Sequence, residues 1–148
     1  MVNTTGTTLE LHYRDPEAAL RWLEAVFGLE TEMMVSDPEG KLAFARVQGP
    51  VGIVAEAPGR PSPASLGGAS TQTVDVTLSD DLDAHYRRAL QAGARIVIEP
   101  RQEFYGATNY VAADLEGHLW CFSQRVSEGG PPPDGWSVRF PAREKAAR

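Results

Sequence analysis

Two stretches decide the fold: "TLELHYRDPEAALRWLEAVFG" (residues 8–28) and "TVDVTLSDDLDAHYRRALQAG" (residues 73–93) superpose at a constant shift of 65 residues without a gap. Thr8 meets Thr73, Leu9 meets Val74, Leu11 meets Val76, Asp15 meets Asp80 and Gly28 meets Gly93. Each copy opens with strict apolar/polar alternation, the pattern of a half-buried strand. Each then offers an Asp in place to cap a helix. The first helix carries Ala19, Trp22, Leu23 and Val26 at helical spacing, and the second carries Leu82, Tyr86 and Ala89. Both end at a Gly, as a left-handed C-terminal cap favours. Spacing, change of period and punctuation agree, so the repeat is structural.

Strand-like segments follow each helix: roughly 30–36, 42–48 and 51–56 in the first half, and 95–101, 108–113 and 118–125 in the second. The turns between them include "DPEG" (37–40), "GP" (49–50) and Glu116-Gly117. Each half therefore reads βαβββ, over residues 8–56 and 71–125. Residues 57–70, "APGRPSPASLGGAS", are rich in Pro, Gly and Ser and read as a flexible connection. One domain is expected over 1–126. The remainder, 127–148, reads as a largely irregular tail, with Trp136 and Phe140 as candidates to pin it to the body.

Composition narrows the function. The net charge of −6 argues against a nucleic-acid or anionic-membrane partner, either of which wants a basic face. A single cysteine can form no internal disulfide and no Cys-x-x-Cys zinc knuckle. No signal-peptide core opens the chain and no apolar run approaches the length of a membrane span, so a soluble cytoplasmic protein is expected. Phosphate loops, nucleophile elbows and His-Glu-x-x-His zinc motifs are missing from the sequence.

With Asp15, Ala19, Trp22, Phe27 and Gly28 in the first helix and the Asp114-x-x-Gly117-His118-x-Trp120 turn in the second half, residues 8–125 resemble the vicinal oxygen chelate superfamily. That superfamily includes glyoxalase I, extradiol dioxygenases, fosfomycin-resistance proteins and bleomycin-resistance proteins. The resemblance implies an α+β fold in which two βαβββ modules form an eight-stranded half-barrel around a central cavity, helices outside. It also implies a homodimer. Alternation assigns the faces: Leu9, Leu11 and Tyr13, with Val74, Val76 and Leu78, lie under the helices. Thr8, Glu10 and His12, with Thr73, Asp75 and Thr77, line the cavity.

Metal-dependent members of the superfamily carry a His on the first strand of each module and a carboxylate on the last. The resemblance maps those positions to Thr8, Ile53, Thr73 and Cys121, taking Ile53 as the counterpart of Cys121 by distance from the turn glycines. That set cannot chelate a divalent cation. Neither metal nor cofactor is expected, and Cys121 reads as a small pocket-lining thiol.

Glu10 and His12, two apart on one strand, point the same way at about 7 Å. Together with Asp75 they form an acidic, hydrogen-bonding wall suited to a cationic or polyhydroxylated ligand, or to acid–base work by His12. Phe104, Tyr105 and Tyr110 near the mouth could stack on a flat ligand. His118 reads as a turn residue and His85 as a surface residue. The expected ligand-binding residues are Glu10, His12, Asp75, Thr77, Cys121, Tyr105 and Tyr110. Two functions stand: a metal-free binding protein that sequesters a small, drug-like or cationic molecule, and an enzyme. The enzyme would be either a metal-dependent lyase, isomerase or dioxygenase of the superfamily, or a metal-free acid–base catalyst.

Overall fold

A computed structural model describes residues 2–148. The first module runs β1 (Leu9–Tyr13), α1 (Pro16–Trp22, continued by a widened π turn over Leu23–Phe27), β2 (Thr31–Ser36), β3 (Leu42–Val47) and β4 (Val51–Ala55). The second runs β5 (Thr73–Thr77), α2 (Leu82–Gln91), β6 (Arg95–Gln102), β7 (Ala107–Ala113) and β8 (Leu119–Arg125). The chain is α+β, as expected. Each module is a four-stranded sheet with its first strand parallel to its last, in the orders β1-β4-β3-β2 and β5-β8-β7-β6. The eight strands do not close into a barrel: among the described residues β1 pairs only with β4 and β5 only with β8.

The alternation places its apolar members as expected. Leu11, Tyr13 and Val74 are buried beneath the helices, with Val76 half-buried. Leu23, Val26 and Phe27 of α1 and Leu82 and Ala89 of α2 complete one core that also takes Trp120, Phe122 and Tyr110 from the second sheet. Phe27 makes the join. Its ring packs edge-on against Phe122 at 4.8 Å and lies 6.1 Å from Trp120, so the helix of one module closes the core of the other.

The two helices start differently despite the repeat. Asp15 caps α1 by accepting from the Ala18 amide, with Pro16 presetting the first helical position. In the second copy Asp81 takes the place of that proline, and it is Asp81, not Asp80, that accepts from the Ala84 amide. It does so with a left-handed backbone (φ 43°). At the far end of α1, Gly28 adopts φ 70° and the Leu29 amide reaches back to the Leu23 carbonyl, which ends the helix as the sequence indicates.

Two expectations are corrected. The 57–70 stretch is an ordered crossing rather than a flexible linker. Ser62 is fully buried and caps a short 3₁₀ turn over Pro63–Leu66, while Glu56 accepts from the Ser62 amide and the Ser65 hydroxyl. Pro and Gly there serve turn geometry, and polar side chains supply the order. In the tail a short helix, α3 (Pro141–Ala146), forms near the end, but the expected pinning is absent. Trp136 and Phe140 pin nothing: they are 70% and 53% exposed.

Candidate functional site: the open sheet faces

The ladder register shows what shares the sheet faces turned away from the helices. In the second module Asp75 lies opposite Cys121, and Cys121 opposite Val111 and then Ile98. One row further on, Thr77, Ser123, Asn109 and Arg101 stand side by side across β5, β8, β7 and β6. Three members of this polar row are bonded to side chains just outside it. The Ser123 hydroxyl donates to Asp75 Oδ1 at 3.0 Å, and Asn109 Nδ2 donates to the Tyr105 hydroxyl at 3.0 Å. Arg101 pairs with Glu103 at 2.7 Å.

Cys121 therefore sits between an acid and an ion pair. Burial pushes its thiol up to about 11, and the Asp75 and Glu103 carboxylates add to the rise against the opposing pull of Arg101. A thiol so placed stays protonated at neutral pH and is a poor nucleophile.

In the first module Glu10 lies opposite Gly52 and then Arg46, and His12 opposite Val54 and then Phe44. Gly52 has a specific job. A Cβ there would stand 2.8 Å from Phe44 Cε2 and 3.4 Å from Glu10 Cγ, so the bare backbone lets the phenyl ring lie down on the sheet beside the carboxylate. The result is an aromatic floor with an acid at its edge. His12 Nε2 is buried and has no hydrogen-bond partner, an uncommon state for a native polar atom.

The expected site residues thus fall into two groups. Asp75, Thr77 and Cys121 stand together, with Tyr105 46% exposed on the turn at their rim. Glu10 and His12 share the other module's open face. A recess of about 380 Å³ between the modules takes Asp75 and Thr77 from the first group, and meets Leu9 and the 48–51 turn, but it contains neither Glu10 nor His12. Phe104 packs edge-on against Tyr105 at 5.4 Å.

Tyr110 must be removed from the site. It faces the helices, fully buried, with its hydroxyl 2.6 Å from His85 Nδ1. A period-2 strand sends Tyr110 to the same side as its neighbour Phe122, and Val111 takes the open side with Cys121. His85 is likewise no free surface residue, since its Nε2 lies 2.8 Å from the Phe27 carbonyl. A carbonyl only accepts, so Nε2 carries the proton and the Tyr110 hydroxyl donates to Nδ1. Ile53 is corrected too: it pairs with Leu11 and is fully buried under the helices, which leaves Gly52 as the true counterpart of Cys121. Counting from the turn glycines missed this by one residue, and one residue reverses the face. His118 is a buried turn residue, with its Nε2 2.8 Å from the His12 carbonyl.

Sequence reasoning missed Phe44, Arg46, Arg101 and Asn109. Cross-strand register is what brings them to the open faces, and register is not written in any one strand. The donor set at the positions where metal-using relatives chelate is Thr8, Gly52, Thr73 and Cys121. Gly52 offers no side chain, and two hydroxyls with one thiol do not fit a divalent cation. Among the described residues no group of three or more His, Cys, Asp or Glu side chains stands together where it could hold a metal ion. No helix there is long and apolar enough to cross a membrane.

Comparison with known proteins agrees with this architecture. The sequence model of the Glyoxalase/Bleomycin resistance protein/Dioxygenase superfamily matches residues 7–122. The crystal structure of TioX from Micromonospora sp. ML1 is similar at a TM-score of 0.65 and 32% identity, over 83% of this chain and 98% of that one. The fosfomycin resistance protein FosX from Listeria monocytogenes shares the fold, with a TM-score of 0.61 and 15% identity over 86% of this chain and 98% of its own. An uncharacterized protein of Mycobacterium tuberculosis is 40% identical over 67 residues, 45% of this chain and 38% of that protein. The match thus spans well under half the length of that relative. The chain belongs to the Glyoxalase/Bleomycin resistance protein/Dioxygenase superfamily.

Proposed function

We propose that this chain is a metal-free small-molecule-binding protein that takes a cationic, partly flat ligand on its open sheet faces and works as a homodimer in the cytoplasm. The observation that carries the reading is the replacement of the last-strand carboxylates. Gly52 lies opposite Glu10 and Cys121 opposite Asp75, so the first strand of each open face keeps its acid and the last strand offers no carboxylate to chelate with it. An acid beside an aromatic floor suits a cation with a planar body. Phe44 supplies that floor beside Glu10, and Tyr105 supplies a rim near Asp75. Exposed Met34 and Val35 on β2 and Val97 and Ile98 on β6, both edge strands, support self-association.

Elemental analysis of purified protein is expected to find no stoichiometric metal, and a chelator to leave stability unchanged. About one zinc, iron, nickel or manganese per chain overturns the metal-free reading and restores a metal-dependent lyase, isomerase or dioxygenase. Native mass spectrometry is expected to reveal a co-purified cationic molecule. Glu10→Ala and Asp75→Ala should each weaken it by about 1–3 kcal/mol in calorimetry, the cost of leaving a polar partner unsatisfied. Unchanged affinity in both removes the open faces from binding. Light scattering that returns a monomer mass at micromolar concentration refutes the dimer.

A second reading has its own support. His12 Nε2 is buried without a partner on the same face as Glu10, as a general acid or base awaiting a substrate would be. His12→Gln with unchanged ligand affinity but no turnover of that ligand would favour it.

A further inference from the structure

Three exposed apolar side chains stand close together in the tail. Trp136, Val138 and Phe140 are 70%, 56% and 53% exposed. They occupy alternate positions, the spacing of one face of an extended segment, and residues 136–140 form no regular structure of their own.

The root of this segment is fixed. The Val126 and Ser127 amides both donate to the Gly106 carbonyl, and the Gly130 amide donates to the Phe104 carbonyl at 2.7 Å. The backbones meet closely: a Cβ on Gly129 would stand 2.6 Å from the Tyr105 carbonyl carbon, and one on Gly106 2.6 Å from the Gly129 nitrogen. Pro131, Pro132 and Pro133 follow, a stiff spacer of about 3 Å per residue. The tail leaves a clamped point in a set direction instead of wandering. Its charge also differs from that of the body. Residues 131–148 hold four of the chain's 14 basic side chains but only two of its 20 acidic ones, so a basic tail hangs on a strongly acidic body.

We propose that the Trp136–Phe140 segment docks on a second copy of this chain, in the groove between α1 and the free edge of β2. It rests on the self-association proposed above. The groove, of about 420 Å³, has Leu20 and Met34 as its apolar floor, and α1 lines its rim with Glu17 and Glu24 against the single basic Arg21. Glu32 of β2, with Glu30 and Asp37 just beyond its ends, extends the acidic border toward Arg143, Lys145 and Arg148 of the tail, Arg139 being paired with Glu144 within the tail itself. β2 is an outer strand, so its outward backbone groups are open to an added strand. The other outer strand, β6, is unsuitable. Pro100 lacks an amide to donate to an added strand. The copy's own groove belongs to the outer strand of the other sheet, away from the root of the tail on the β6–β7 turn. Two copies related by a two-fold axis satisfy both tails and both grooves at once.

Sedimentation and light scattering on the full chain test this, with emission from Trp136 taken as the difference between wild type and Trp136→Phe. We expect a dimer whose dissociation constant rises about tenfold or more in the double variant Trp136→Ala/Phe140→Ala, and again in Met34→Asp. Salt near about 0.5 M should weaken the wild type, and Trp136 emission should shift to the blue as concentration rises. All three side chains changed, Trp136, Phe140 and Met34, are exposed, and folding is checked directly by circular dichroism. A dimer of unchanged strength in the double variant overturns the role of the tail and leaves the proposed self-association standing. Weakening by the tail variant but not by Met34→Asp overturns the groove. A blue shift independent of concentration places the tail on its own body, and a monomer at every concentration removes both proposals.

Discussion

Cys121 shows how much a single side chain owes to its cross-strand neighbours. By composition it is a lone thiol. By register it faces Asp75, with the Arg101–Glu103 pair close by. Burial is the larger cause of its raised pKa and Asp75 the next, so the thiol is expected to titrate only near pH 11 and to react slowly with iodoacetamide at pH 8. Asp75→Asn removes a charge that opposes the thiolate, so its titration should move downward. Ultraviolet absorbance of the thiolate followed against pH checks both. An unmoved curve in Asp75→Asn would mean that burial acts alone. Gly52 carries the complementary lesson: its value lies in the missing Cβ, which only the nearness of the Phe44 ring reveals.

Between elements, the join of α1 to α2 depends on one neutral imidazole. His85 receives the Tyr110 hydroxyl on Nδ1 and gives its proton to the Phe27 carbonyl, while Arg88 donates to the Glu24 and Ala25 carbonyls of the same helix end. Burial lowers the His85 pKa below its ordinary 6.5, partly opposed by the Phe27 carbonyl and aided by the Arg88 charge. The sign follows directly. The unfolded chain binds the proton at higher pH than the folded chain, so stability from this group is whole above about 6.5 and falls as pH drops below it. Urea unfolding followed between pH 7.5 and pH 5 should show this loss in wild type and a smaller one in His85→Gln. Equal slopes in the two proteins would assign the loss to other groups. The helical spacing of Leu82, Tyr86 and Ala89 was legible in the sequence, but the inward turn of His85 was not. A histidine one step from an apolar stripe is buried only if a partner carbonyl and hydroxyl arrive from elsewhere.

At the scale of the molecule, the modules are tied by one carboxylate hub at the β7–β8 turn. Asp114 Oδ1 accepts from the amides of Glu116, Gly117 and His118, and its Oδ2 accepts from the Trp120 indole and from the Tyr13 hydroxyl of the other module, the last at 2.6 Å. Glu116 beside it accepts from the Arg14 and Asp15 amides at the start of α1 and from the Ser62 hydroxyl in the crossing. Tyr13→Phe removes one of these bonds and should cost about 1.5–3 kcal/mol, the range for hydrogen bonds to charged groups. Asp114→Ala strands several buried donors and should cost upwards of about 3 kcal/mol. Chemical denaturation measures both, and a loss under about 0.5 kcal/mol in Asp114→Ala would show that the hub does not hold the modules together.

The sequence by itself determined the repeat, the βαβββ order of each half, and which residues of β1 and β5 turn to the helices. Those features follow from periods of 2 and 3.6 and from capping residues, all of which act over a few neighbours. It also indicated that Thr8, Thr73 and Cys121 make a poor chelating set, because the donor chemistry belongs to the residue types. Only the tertiary structure decided that Gly52 rather than Ile53 occupies the position equivalent to Cys121, that Tyr110 is core, and that residues 57–70 are ordered. Each of these turns on strand register or on hydrogen bonds between residues far apart in sequence, such as Tyr110 to His85 and Ser62 to Glu116. Contacts at such separation are set by how the whole chain packs, and no local pattern carries them.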